Sequence, residues 1–254
     1  MATARLKTWL AQRDSSLCWI EFEAYARRVF ANDPPDWYRD PVRYAATLIQ
    51  AQGVIPTQCL SVDVTAPFIA ARDALGVSNL VELLGAPAPL EFISVALNAL
   101  IHRFADRLDL VLKFTAPWDL LDGAKSAVGF DALDDVATAL TACMRRFADR
   151  PLAGLLLESA RTTTLSTDEL DAYEPLISAA RHYGWFTALA LPADTSGAVD
   201  TVALDLDVLL WPQRSLEGLA GGRADPAIGG GLTAAVWQGT VRSEERRVGK
   251  ECRL

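Results

Sequence analysis

The chain predicts an α/β fold of the (β/α)₈ type, with its last strand expected to be missing, and three observations carry that prediction. First, Thr201–Trp237 reads as strand, helix, strand with short joints: an apolar run at Val202–Leu206, a short helical piece at Ser215–Ala220 stopped by Gly221-Gly222, and a second apolar run at Ala227–Trp237. Such a βαβ unit makes parallel neighbours in one sheet. Second, the same alternation recurs through the rest of the chain. Third, most strand runs are apolar on both faces, as in sheets covered on both sides. No GxGxxG follows the first strand candidate, which argues against the doubly wound alternative.

In chain order, Arg5–Gln12 reads as a leading helix and Leu17–Phe22 as a first strand, with Glu21 and Glu23 at its end. Asn32-Asp33-Pro34-Pro35 breaks the chain. Asp40-Pro41 opens a helix with proline in its first turn, a favoured place for it, and that helix runs to about Gln52. Ile55–Val64 is the second strand and ends at Asp63. A helix over Ile69–Leu75 stops at Gly76. Over Leu90–Arg107, residues Phe92, Val95, Ala96, Ala99 and Leu100 share one helical face.

Leu108–Phe114 is the third strand and leads into Pro117-Trp118-Asp119. Leu133, Val136, Ala137, Leu140, Met144 and Phe147 keep helical spacing, with Asp131 as N-cap. Leu152–Leu157 is the fourth strand, ending at Glu158. Ser166-Thr167-Asp168-Glu169 has the form of a capping box, and its helix stops at Gly184. Trp185–Leu191 is the fifth strand, and the βαβ unit supplies the sixth and seventh. The glycines Gly229, Gly230 and Gly231 lie in a strand run rather than before a helix, so they do not read as a phosphate cradle.

The length of 254 residues, with 51% hydrophobic and 22% charged, suits one large domain over 1–241. A net charge of −8 excludes an extended nucleic-acid surface. No leader opens the chain and no apolar run reaches the ~18 residues of a membrane span, so the expected partner is a small molecule and the expected compartment the cytoplasm. Cys18, Cys59, Cys143 and Cys252 are far apart and form no CxxC, which reads as free thiols. Arg242–Leu254 turns abruptly basic, lacks an apolar face and resembles translated adapter contamination. It reads as an artefactual tail on a chain truncated after about Gly239.

The order of elements resembles the superfamily of uroporphyrinogen decarboxylase, the corrinoid-protein methyltransferases and cobalamin-independent methionine synthase. The carrying segments are WYRDPVRYAATLIQAQGVIPTQCLSVDVTAPF, LVLKFTAPWDLL, YEPLISAARHYGWFTALAL and VDTVALDLDVLLWPQ with IGGGL. The resemblance implies a (β/α)₈ barrel with its site at the C-terminal mouth of the strands, and a decarboxylase or methyltransferase acting on a small carboxylated or cofactor-bound substrate. It also implies a functional aspartate at Asp63. The decarboxylases' arginine-rich motif is matched by Phe22 and Ala26, with Arg27 and Arg28 out of register. Their tyrosine after the third strand would fall near Gly123. The zinc methyltransferases' His-x-Cys position is Ala190-Leu191-Pro192, and His102 and His182 lie on helices, so neither a metal nor a cofactor is expected.

Strand ends at such a mouth carry chemistry. Asp63 and Glu158 are the catalytic candidates, because buried or paired carboxylates serve as general acids and bases. Glu21, Glu23, Arg27, Trp118, Asp119, Asp205 and Trp237 are the substrate-binding candidates, charged groups for polar contacts and aromatic walls for a flat ligand; Arg161, Asp207 and Trp211 fall nearby. Each acid has a plainer reading as a helix cap or ion-pair partner, and each tryptophan as core. The competing function is a non-catalytic or ligand-binding relative that kept the fold and lost the motifs.

Overall fold

The computed structural model describes residues 5–12, 19, 21–77, 80–104, 107–121, 130–160, 165–192, 204–215 and 227–231. The helices are α1 (Arg5–Gln12), α2 (Glu23–Phe30), α3 (Pro41–Val54), α4 (Thr65–Leu75), α5 (Pro87–Phe104), α6 (Phe130–Arg145) and α7 (Thr167–His182). The strands are β1 (Cys59–Asp63), β2 (Asp109–Thr115), β3 (Gly154–Glu158), β4 (Phe186–Ala190), β5 (Val208–Ser215) and β6 (Ala227–Gly231). Short 3₁₀ turns occupy Val81–Leu83 and Pro117–Leu120.

The six strands among the described residues are parallel and lie side by side in the order of the chain, β1 to β6. Trp19 adds a parallel bridge to Cys59 on the far side of β1. The sheet is not closed among the described residues. The structure therefore shows an α/β fold with a parallel sheet wound in one direction, which is coarser than the expected barrel.

The two faces of the sheet are covered differently. Leu60, Val62, Leu110, Leu112, Phe114, Leu155, Leu157, Leu189 and Leu209 pack with residues of α2 through α7 in one large core. The alternate residues Cys59, Val111, Leu156, Phe186, Ala188, Ala190 and Val208 form a second core with Leu6 of α1, against which Trp9, Leu10 and Trp19 pack. Period-two alternation of side chains thus puts one set against the helices and the other against α1. The Leu6 amide donates to Asp109 Oδ2 at 2.6 Å, pinning α1 beneath the start of β2.

Local signals set most helix ends. Asp40 caps α3 by accepting from the amides of Val42 and Arg43, with Pro41 at the first helical position. Ser166 and Glu169 form a reciprocal capping box on α7. Gly76, at φ 66°, ends α4 in the left-handed conformation that glycine adopts without strain. Helix α6 begins at Phe130, so Asp131 lies in its first turn rather than at its cap.

Three strand expectations need correction. The run Leu17–Phe22 contributes only the Trp19 bridge among the described residues; Phe22 is the N-cap of α2, so Glu23 is helical. The second strand starts at Cys59, because α3 continues through Gly53 to Val54 and Pro56 follows its cap. The sixth strand is Val208–Ser215; of the expected run, Leu204, Asp205 and Leu206 are not in a strand, and Val202 and Ala203 fall outside the described residues. Asp205 turns the chain at φ 48° just before the strand. The strand tolerates Pro212, which has no N–H to donate, because its register with β6 breaks between Trp211 and Ser215. The helix expected over Ser215–Ala220 falls outside the described residues beyond Ser215, as do most of the run to Trp237 and the basic tail.

Cys59 and Cys143 are buried; burial pushes the Cys143 thiol up to about 12, which keeps it a thiol and unreactive. Cys18 and Cys252 fall outside the described residues. No helix among the described residues is long and apolar enough to cross a membrane.

Candidate functional site

A cavity of about 300 Å³ opens at the C-terminal ends of β1, β2 and β3, lined by Glu21, Glu23, Ala24, Arg27, Tyr38, Asp63, Lys113 and Glu158. Strand register builds its floor. Asp63 ends β1 and stands directly opposite Lys113 of β2. Lys113 in turn faces Leu156, two residues before Glu158 at the end of β3. Because side chains alternate, Asp63, Lys113 and Glu158 all leave the sheet on the α1 side, above the apolar layer of Val111 and Leu156.

Lys113 is the centre of the site. Its Nζ lies 3.0 Å from Asp63 Oδ2, 3.1 Å from Glu21 Oε2 and 3.0 Å from Glu158 Oε2. It donates a hydrogen bond to Glu158 and pairs with Asp63 and Glu21 as ions. Burial alone lowers the lysine pKa, but the charges of Asp63, Glu21 and Glu158 outweigh it and hold the group above the ordinary lysine range. Lys113 therefore remains a cation and is not a free amine nucleophile. The other oxygen of Asp63 accepts from the Ala66 amide at 2.8 Å and from Thr65 Oγ1 at 3.1 Å. Thr65 Oγ1 also contacts Thr115 Oγ1 at 2.9 Å. Asp63 is thus fixed from two sides by the start of α4 and by β2.

The cavity wall is a second polar cluster. Glu23, at the first position of α2, accepts from Tyr44 Oη at 3.0 Å, from Trp37 Nε1 at 3.2 Å and from Tyr38 Oη. Burial, followed by the charge of Asp63, raises the Glu23 pKa despite the hydrogen bonds from Tyr38 and Tyr44 and the charge of Lys113. Burial and the adjacent Glu23 raise Tyr38 and Tyr44 as well, so both phenols stay protonated. Tyr38 spends its proton on Glu23 and presents lone pairs to the cavity.

The raised Glu23 pKa has a consequence for stability. An acid bound more tightly to its proton in the folded state than in the unfolded chain favours folding fully below its ordinary value of 4.5. That contribution fades as pH rises through the folded pKa. Urea unfolding of wild type and Glu23→Gln across about pH 4 to 8 should show the wild type losing stability relative to the variant as pH rises. The loss should be about 1.4 kcal/mol for each tenfold by which folding tightens the hold of Glu23 on its proton. Parallel curves would show that Glu23 is ionised without cost.

The structure gathers Asp63, Glu158, Glu21, Glu23 and Arg27 around one cavity and leaves other candidates elsewhere. Trp118 packs against Leu133, Ala137 and Ala172 of α6 and α7. Asp119 turns to accept the Ala160 amide at 2.9 Å. Asp205 pairs with Arg181 at 3.1 Å, and Asp207 accepts the Thr187 amide at 2.8 Å. Both precede β5 and lie at the opposite end of the sheet, because the strand begins after them and not before. Trp237 and Arg161 fall outside the described residues. Sequence reasoning misses Lys113 and Tyr38. The one signal for Lys113 is a lone cation inside an apolar strand run, LVLKFT. Among the described residues, no three His, Cys, Asp or Glu side chains are grouped so as to hold a metal ion. Comparison with protein-family profiles, curated proteins and solved structures finds no match to this chain.

Proposed function

We propose that the chain is a small-molecule enzyme of (β/α)₈-barrel type whose site is the cavity around Lys113, and that it takes a ligand rich in hydrogen-bond donors or bearing positive charge. Strands in chain order, α2 through α7 all against one sheet face and a cavity at the C-terminal strand ends support the barrel. The observation that carries the ligand class is that the ammonium of Lys113 is already paired with three carboxylates within 3.1 Å. What the floor and wall offer a ligand is acceptors: Glu21, Glu158, Asp63 and the Tyr38 oxygen. Glu21 Oε1 has no hydrogen-bond partner among the described residues.

This reading departs from a substrate held on the cavity floor by a carboxylate, since that group would meet the acids Glu21, Asp63 and Glu158 there. It keeps the expected chemistry of general acid–base catalysis. Asp63 is anchored to α4 and Lys113, and the more exposed Glu158 is the group placed to exchange a proton with a ligand. A binding role without catalysis is favoured by one observation: Glu23, Asp63 and Lys113 already satisfy one another or their neighbours.

A ligand-observed NMR screen with matched amines, polyols and carboxylates tests the proposal. Amines and polyols should bind, and Glu21→Gln should weaken amines by about tenfold, the worth of one charge-assisted hydrogen bond. Carboxylates binding in the cavity, with amines excluded, would refute it. Once a converted ligand is found, Glu158→Gln should lower turnover about 10²-fold or more with little change in affinity; unchanged turnover would remove Glu158 from the catalytic role.

A further inference from the structure

We infer that the ligand of this cavity is a small zwitterion, an amine that also carries an anionic group, and that Arg27 on the rim is the residue that selects it. The inference rests on the acceptor-lined cavity argued above and adds its second pole. Glu23 and Arg27 stand four residues apart on α2, hence on one helical face, and both line the cavity with Ala24. The floor presents acceptors to the ammonium end. Arg27 is the other cation among the described residues of the lining, and unlike Lys113 it is not surrounded by three carboxylates.

Arg27 is held for this task from outside the cavity. The chain leaves α2 through Asn32 and Asp33, two successive non-glycine residues in the left-handed region at φ 56° and 49°. The Asp33 amide returns to the Arg27 carbonyl at 3.0 Å, and the Asp33 carboxylate lies 2.5 Å from Arg27 Nε. Asn and Asp are the side chains that tolerate this conformation best. The ion pair uses the inner nitrogen of the guanidinium. A planar guanidinium grips a carboxylate or phosphate through two parallel N–H groups, and its terminal nitrogens are suited to that grip. With a side chain 39% exposed, Arg27 is open to solvent enough to exchange water for a ligand anion.

Isothermal titration of the full chain with 5-aminopentanoate, O-phosphoethanolamine, pentylamine and pentanoate tests the inference. At least one of the two zwitterions should bind about tenfold or more tightly than pentylamine, as one charge-assisted contact provides, and pentanoate should not bind. The better of 5-aminopentanoate and O-phosphoethanolamine identifies the anion as carboxylate or phosphate. Arg27→Met should collapse the ratio of zwitterion to amine affinity to about one, and Arg27→Lys should restore part of it. Asp33→Asn, which frees the guanidinium without removing it, should reduce the ratio about two- to threefold. Circular dichroism of each variant establishes folding. Pentylamine binding as tightly as both zwitterions, or a ratio unmoved in Arg27→Met, overturns the inference while leaving the acceptor-lined cavity standing. If neither amine nor zwitterion binds, both readings fail together.

Discussion

Replacing Lys113 by methionine is expected to destabilise the fold by about 3 kcal/mol, the low end for removing one partner of a buried ionic cluster. Three carboxylates now neutralise one ammonium whose side chain is 12% exposed. Glu21 and Glu158 are exposed enough, at 36% and 47%, to turn toward water and recover much of their hydration. Asp63, at 12%, is not. It is also tied to Ala66 and Thr65 and cannot swing away. The cost therefore concentrates on Asp63. A drop of about 3 kcal/mol corresponds to about 6–12 °C in Tm for a chain of this size. The double variant Lys113→Met, Asp63→Asn should recover at least half of the loss, since asparagine keeps the acceptor for Ala66 and sheds the charge. A Tm unchanged in the single variant would mean that the three acids are solvated without the lysine.

Gly154→Ala should cost about 2–3 kcal/mol for a different reason. A Cβ at this position would lie 2.5 Å from two ring atoms of Phe186, the residue directly opposite on β4. Phe186 is fully buried, and Trp19 stands edge-on to it with ring centroids 5.8 Å apart. The ring therefore has no room to retreat, and overpacking in a closed core forces strain into the backbone. The companion change Phe186→Leu removes the obstructing atoms, so the pair should lie within about 1 kcal/mol of Phe186→Leu alone. Chemical denaturation of the three proteins measures this directly. Additive losses would show that the glycine is needed for something other than the ring above it.

Lys113 and Gly154 also show what can and cannot be read along the chain. Helix ends are legible because their chemistry is local: Asp40 with Pro41, Ser166 with Glu169, Gly76 and Gly184 each act within a few residues. The alternation of strand and helix is legible for the same reason. Register is a relation between distant strands, and no local pattern states it. Asp63 stands out for ending an apolar strand, but that it faces Lys113 follows from pairing with a strand distant in the chain. Lys113 itself reads as one polar letter in an apolar run. Glu158, Glu21 and Arg27 read as candidates at one strand-end mouth, but that Glu21 and Glu158 meet on Lys113 follows only from the fold.

The misplacements have physical causes too. The apolar run Val202–Leu206 reads as the strand, whereas the structure forms it at Val208–Ser215, so the acids beside it are assigned to the wrong end of the sheet. The structure keeps Pro212 where ladder pairing is already broken. Trp118 and Asp119 follow β2 as expected, but the 3₁₀ turn at Pro117–Leu120 carries the indole onto α6 and α7.

Helix α1 bears on how the chain is made. Leu6, with Trp9 and Leu10 packed beside it, shares its core with Val111, Leu156, Phe186 and Val208, and Lys7 bonds the carbonyl of Gly184, 177 residues further on. A ribosome adding about 5–20 residues per second leaves this helix without its full docking surface for roughly 10–40 s. During that interval its apolar stripe is open to any passing chain. The contact is also among the longest-range in the fold, so the entropy of closing that loop is met only at the end. Seating of α1 is thereby expected to be the last event of folding, and a nascent chain stalled before β4 should be held by chaperones that recognise exposed leucine and tryptophan.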